Sequence, residues 1–242
     1  MGLVHPRTAR KVVEDLLESI SRADLIQMVP RWSPFLRSYV QAFTNILDRA
    51  STDQEKHMWL EKSPRHLDHT AEISRWIAGV RFIHLVRDGR DVVASLFELG
   101  VQDPRWLSRI RQSTMVPRNQ VTRESIMSDA VRRWNLDVQE TLRWAHKPDH
   151  VVVWYEQLIE DAEAELRRVC DHMNVRFEPG MLRFWEAASQ VVGSLASAPH
   201  MQGPFSPLAD TRGIKFRKLF TEAEQRRITR NLLWGGVVPP LN

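Results

Sequence analysis

The sequence predicts an α/β fold, a mostly parallel sheet flanked by helices, and three observations carry that expectation. Two apolar runs, Phe82 to Val86 and Val151 to Trp154, are short and nearly continuous, as strands buried on both faces are. Amphipathic helical patterns separate and follow them, which is the alternation of an α/β sandwich. The chain has 242 residues, 43% of them hydrophobic and 26% charged, enough for one large core. The expectation is a single domain over residues 1–242, with a helical part at 1–50 and a core at 58–233.

Residues 8–20 carry Val12, Val13, Leu16, Leu17 and Ile20 on one helical face. Pro34 opens a second helix bearing Leu36, Tyr39, Val40, Phe43, Ile46 and Leu47. A short strand is expected at 58–61, then a helix over 67–77 ending at Gly79, the strand at 82–86 and a helix from Asp88 to Leu99. Residues 100–123 show little periodicity and read as a long exposed loop or a broken helix that could overhang a site. A long helix over about 125–144 uses Val131, Trp134, Val138 and Leu142, and a Lys147-Pro148-Asp149 turn leads into the second strand. Helix 162–173 follows, then one from Pro179 to about 188, a second long loop at 189–213, and a last helix announced by the capping box Thr221 to Glu224.

Charge narrows the function classes. Lys and Arg number 34 against 30 Asp and Glu, a difference of +4, too small to mark a nucleic-acid binder although it favours an anionic ligand. Cys170 is the one cysteine, expected as a buried helix residue, so no internal disulfide or Cys-rich zinc site can form. No stretch reaches the roughly 18 apolar residues of a membrane helix, and the opening residues lack the apolar core of a secretory signal. A cytoplasmic location follows as an expectation.

The most informative stretch is Phe82 to Ser95, where FIHLV runs into Arg87-Asp88-Gly89-Arg90 and then a helix. Strand, turn and helix together bind anions. A helix N-terminus offers unpaired N–H groups and partial positive charge, and Arg87 adds a fork that can grip a phosphate with two bonds. Ser95 could add a hydroxyl. The alternative is that Arg87 and Arg90 pair with Asp88 or Asp91, with Asp91 capping the helix. Upstream, Glu61-Lys62-Ser63-Pro64-Arg65-His66 ends the expected strand at 58–61. Lys62 is either a solvated lysine or a second cation converging with Arg87 on a ligand with two anionic groups. His66 and His69 stand three residues apart, but without a placed third ligand they do not make a metal site.

LEKSPRH, then RFIHLVRDGRDVVASL, then VVVWYEQLIEDAEAELRRVCDHM resembles the donor-binding half of the sulfotransferase superfamily, closest to bacterial members and the protein-tyrosine and heparan branches. The resemblance implies a P-loop-like fold and 3'-phosphoadenylyl sulfate (PAPS) as co-substrate, with PAP as product and no metal. It implies that Arg87 and Ser95 bind the 3'-phosphate, that Lys62 is the electrostatic catalyst at the sulfuryl group with Ser63 nearby, and that Tyr155 contacts the nucleotide. Tyr155 is otherwise a core tyrosine at a strand end. Asp210 to Lys218 resembles the family's late basic loop, which carries over Lys215 and Arg217, although Phe216 stands where the family has Trp. His66, beside Lys62, is a candidate proton acceptor, with a surface histidine as its alternative.

The family also opens with a β-strand and a Gly- and Ser-rich loop around the 5'-phosphosulfate, and no such segment precedes Glu61. No G-x-x-x-x-G-K-[ST] occurs either. The expected sheet therefore lacks its N-terminal strand, as in a truncated reading frame, a degenerate copy, or a variant completed by another chain. The activity implied is sulfuryl transfer to a hydroxyl or amine of a small-molecule, glycan or peptide acceptor. Its rivals are an inactive module retaining the 3'-phosphate half-site and, against the absent phosphate-loop lysine, a nucleotide kinase or triphosphatase. Neither nucleic acid nor a membrane span is expected, and a homo-oligomer is left open.

Overall fold

The computed structural model describes residues 6–19, 22–63, 66–102, 121–186 and 210–237. The chain divides into two compact units, Met1–Val80 and Arg81–Asn242.

In the first unit, α1 (Pro6–Ser19) is followed by a 3-10 turn (Ala23–Met28) and by α2 (Leu36–Asp53). Val13 and Leu17, one helical turn apart on α1, bury against Leu25, Val29, Tyr39 and Ile46. Arg22 ties the connection by pairing with both Asp24 and Asp53. A 3-10 turn (His66–His69) leads into α3 (Thr70–Trp76), and Gly79, at φ +71, sits beyond its end in the left-handed region that glycine adopts without penalty.

The strand expected at 58–61 does not form; the segment is irregular. Met58 and Leu60 are exposed and the Trp59 indole donates instead to Asp48, 2.8 Å away. Alternation supplies two faces but not the neighbouring backbone that a strand needs for its hydrogen bonds.

In the second unit, β1 (Phe82–Val86) and β2 (His150–Trp154) pair in parallel, Phe82 opposite His150 and Val86 opposite Trp154. Among the described residues the sheet has these two strands. Between them run α4 (Gly89–Gln102) and α5 (Arg123–Trp144), which pack on each other through Val93, Ala94, Phe97, Met127, Ala130 and Trp134. β2 passes into α6 (Tyr155–Glu160) and α7 (Ala162–Met173), where Asp161 caps by accepting the Ala164 N–H and Asn174 closes the helix in the left-handed region. Cys170 on α7 is buried, its Sγ 3.7 Å from Met181 Sδ. A 3-10 turn spans Pro179–Arg183; then come α8 (Ile214–Leu219), α9 (Glu222–Asn231) and a last 3-10 turn (Leu233–Gly236). The Thr221–Glu224 capping box is present as expected.

Three expectations need revision. β1 is not buried on both faces: His84 and Val86 point inward while Ile83 and Leu85 are 40% and 62% exposed. α4 continues to Gln102 and α5 already begins at Arg123, where Thr122 and Ser125 form their own capping box. From Pro179 the described chain makes a 3-10 turn and then one helical turn to Glu186. The two expected loops otherwise fall mostly on 103–120 and 189–209, outside the described residues.

Under the sheet lies a histidine stack. His150 sits between Phe82 and Trp144, nearly parallel to both at centroid separations of 4.4 and 5.3 Å, and its Nδ1 is 2.7 Å from His84 Nε2. One proton serves that short contact, so at least one of the two rings is neutral. Burial, with the His150 ring alongside, lowers the His84 pKa from 6.5 to about 4, and burial also lowers those of His150 and His172.

A depressed histidine binds fewer protons in the folded state than in the unfolded one. Its contribution is therefore complete above pH 6.5 and is lost as pH falls from 6.5 towards 4. For His84 alone the loss is on the order of 3 kcal/mol. Thermal melts should show the transition falling steeply between pH 6.5 and 4, and H84F should flatten that slope; equal slopes in the two proteins would exclude the stack as its cause.

Candidate anion-binding site

β1 ends at Val86, and α4 begins at Gly89 with two residues between. The turn between them is locked by its own side chains. The Asp88 carboxylate accepts from the Arg90 backbone N–H at 2.8 Å and pairs with the Arg90 guanidinium, while the Asp88 N–H donates to Glu156 Oε1 at 2.9 Å. The helix-start amides of Asp88 and Arg90 are thereby occupied, so the anion grip falls to side chains rather than to these backbone groups. Asp88 in turn raises the Arg90 pKa through that hydrogen bond.

Arg87 is fixed at three points, and its Nε is buried. Its carbonyl accepts the Trp134 indole N–H at 3.0 Å, its Nη2 donates to Asp91 Oδ2 at 3.0 Å, and its guanidinium lies 4.4 Å from the centre of the Tyr155 ring. That Nε has no hydrogen-bond partner among the described residues. A buried donor without an acceptor costs about 1–3 kcal/mol, so the position is suited to an incoming oxyanion. The pairing of Arg87 with Asp91 was one of the two arrangements open from the sequence; it takes up one donor of the fork and leaves Nε over.

Asp91, 4% exposed, uses its other oxygen to accept the Gly213 N–H at 2.8 Å. Ser95 lies one turn further along α4 and Glu98 almost another, so Asp91, Ser95 and Glu98 share a stripe. Glu98 holds Lys215 at 2.6 Å, which brings the segment 213–215 alongside that stripe. The Ser95 hydroxyl makes no hydrogen bond with any described residue. Arg217 is exposed and without an ion pair among the described residues, and a Cβ on Gly213 would stand 2.6 Å from its Nη1. Phe216 anchors the segment in the core beside Phe220. Arg212 is consumed by Asp210 and Glu160, and holds the Asp210 carboxyl down to about 2.

Arg87, Ser95, Tyr155, Lys215 and Arg217 thus gather in the Arg81–Asn242 unit. Lys62, Ser63 and His66 belong to Met1–Val80. The Lys62 side chain is exposed and makes no bond with a described residue. His66 Nε2 lies 2.8 Å from Glu61 Oε2, an approach that keeps the proton on Nε2 and leaves Nδ1 as the acceptor nitrogen. Sequence reasoning offered Asp91 as a pairing partner of Arg87 or Arg90 and as a helix cap, and overlooked Trp134 and the Gly213 amide. The Arg87-to-Asp91 spacing of four was a usable signal for the first; nothing local to residues 134 or 213 marks the others.

Fold and site together define an α/β domain with a partly buried guanidinium, that of Arg87, at the end of a parallel strand. The sequence profile of the sulfotransferase family matches residues 7–179, and the chain belongs to that family. No curated protein matches it in full-sequence comparison. Among solved structures it is similar to the sulfotransferase domain from the curacin biosynthetic pathway, at 16% identity over 95% of this chain and 80% of that one with a TM-score of 0.51, a likeness of fold. No helix among the described residues is long and apolar enough to cross a membrane.

Proposed function

We propose that the protein is a PAPS-dependent sulfotransferase that moves a sulfuryl group to an acceptor hydroxyl or amine. The observation that carries this reading is the buried Nε of Arg87, without a partner among the described residues, together with the Ser95 hydroxyl further along α4, which bonds to no described residue. Both suit the 3'-phosphate, the group that separates this donor from common nucleotides. The Tyr155 ring packs against the Arg87 guanidinium, and Arg217, in the segment that Asp91 holds through the Gly213 N–H, adds a second cation. Lys215, held by Glu98, contributes less.

In the reaction an acceptor oxygen or nitrogen forms a bond to sulfur as the bond from sulfur to the bridging phosphate oxygen breaks, and PAP leaves with the electron pair. Lys62, which bonds to no described residue, offers its ammonium to the charge growing on that bridging oxygen. His66 Nδ1 takes the acceptor's proton, with Glu61 stabilising the imidazolium so formed. Positioning and charge supply most of the acceleration in such transfers, and no step calls on a metal. The acceptor is a small molecule, glycan or peptide, and the single buried thiol suits a reducing compartment such as the cytoplasm.

Calorimetry with 3',5'-adenosine diphosphate tests the reading. Arg87→Ala should weaken binding by about 10²-fold, the worth of a charge-assisted fork, and should leave 5'-AMP binding little changed. No binding by the parent protein, or equal loss for both nucleotides, would overturn it.

One observation favours a second reading, an inactive module that keeps only the 3'-phosphate half-site. The two strands described lead into Arg87-Asp88 and directly into α6, and neither junction is a Gly- and Ser-rich loop able to wrap a 5'-phosphosulfate. Transfer of label from radioactive donor separates the two.

A further inference from the structure

We infer that Asp91 is the positioning residue of the half-site: from one carboxylate it seats both Arg87 and the start of the 213–217 segment. The inference rests on the donor reading given above. Asp91 is buried, yet neither oxygen is spent on capping its own helix; Oδ2 takes Arg87 Nη2 at 3.0 Å and Oδ1 takes the Gly213 N–H at 2.8 Å. A buried carboxylate is stable only where both oxygens are bonded, so the two partners are held at a fixed separation.

Gly213 is the hinge of the second arm. At φ +68 it occupies the left-handed region, where a residue with a side chain is strained, and a Cβ there would lie 2.6 Å from Arg217 Nη1, the end of an exposed side chain. The Arg217 N–H donates to the Gly213 carbonyl at 3.0 Å, so the placement of Gly213 sets where the helical turn that carries Arg217 begins. Lys215 on Glu98 and Phe216 in the core hold the rest of the segment, so the part governed by Asp91 is its leading turn, about residues 211–214. The two cations offered to the 3'-phosphate are in this way registered to each other through a group that need not touch the ligand.

Removing Asp91 also deletes a negative charge beside an anion site, which by itself would favour anion binding. Comparing Asp91→Ala with Asp91→Asn cancels that effect. Both remove the charge, but asparagine keeps an acceptor for the Gly213 N–H. D91A should bind 3',5'-adenosine diphosphate about tenfold more weakly than D91N, the worth of one hydrogen bond between a guanidinium and its anion. Amide exchange over 211–214 should be faster in D91A than in D91N before any ligand is added. Arg217→Ala should cost several-fold in the D91N background and little in D91A, since non-additivity is the mark of shared positioning.

Should D91A fail to fold, Gly213→Ala attacks the clasp from its other end and should reproduce the weak binding and fast exchange with the Arg87–Asp91 pair intact. Equal affinity and equal exchange in D91A and D91N would overturn the inference while leaving the donor reading in place. A parent protein that does not bind the nucleotide would overturn the donor reading, and the ligand role of Asp91 with it, whatever the exchange pattern.

Discussion

Replacing Trp134 with alanine should cost about 3–5 kcal/mol of stability, the usual penalty for emptying a large aromatic site. The indole is 3% exposed between α4 and α5, and the chain is shaped around it: a Cβ on Gly89 would lie 2.8 Å from the ring. Glycine at 89 is there for that approach. The cavity left by alanine would be walled by two helices and a strand end that cannot collapse freely, which puts the cost at the upper part of the range. The indole N–H also anchors the Arg87 carbonyl, so the loss reaches the site. Chemical denaturation should show a lower midpoint at unchanged slope, and calorimetry a weaker 3',5'-adenosine diphosphate complex. Trp134→Phe should recover most of the stability without restoring the carbonyl's partner. A W134A protein as stable as its parent would contradict the packing described for α4 and α5.

Replacing Lys62 with methionine should lower sulfuryl transfer by about 10²–10³-fold, as removal of one group stabilising transition-state charge does. Methionine keeps the length and removes the ammonium. Because Lys62 is exposed and unbonded among the described residues, the fold should not register the change. The product nucleotide carries no sulfuryl group, so its affinity should stay within about twofold of the parent's, a pattern that separates loss of chemistry from loss of binding. Transfer at the parental rate in K62M would remove Lys62 from the reaction, and a matching fall in nucleotide affinity would recast it as a binding residue.

Much of this was legible in the chain before any coordinates. The runs FIHLV and VVVW announced the two strands because continuous apolar residues have few other homes, and Thr221 to Glu224 announced α9 because a capping box is a local pattern. Arg87 stood out because it follows a strand and precedes a helix.

Other features were not legible, for physical reasons that differ. The start of α5 was misjudged because Ser125 closes its capping box where Glu or Gln is the familiar sign. Met58 and Leu60 alternate as in a strand, but pairing depends on a neighbour that alternation cannot reveal. The wet face of β1 is invisible in its composition, since Ile83 and Leu85 are as apolar as any buried pair. The bond from Trp134 to Arg87 spans 47 positions and the one from Asp91 to Gly213 spans 122, so only the folded chain brings those partners together.

The double employment of the strand-turn-helix bears on how this gene would drift. Asp88 locks a turn, Asp91 is a bonded buried carboxylate, Gly89 clears an indole and the Arg87 backbone anchors it, so selection for folding alone would retain most of RDGRD in a lineage that had abandoned its ligand. Persistence of that motif is therefore a weak record of activity. The informative positions are those with no bond to any other described residue: the Ser95 hydroxyl, the Arg217 guanidinium and the Lys62 ammonium. Relaxed selection would erase these first, and their joint survival among descendants would be the signature of a ligand still in use.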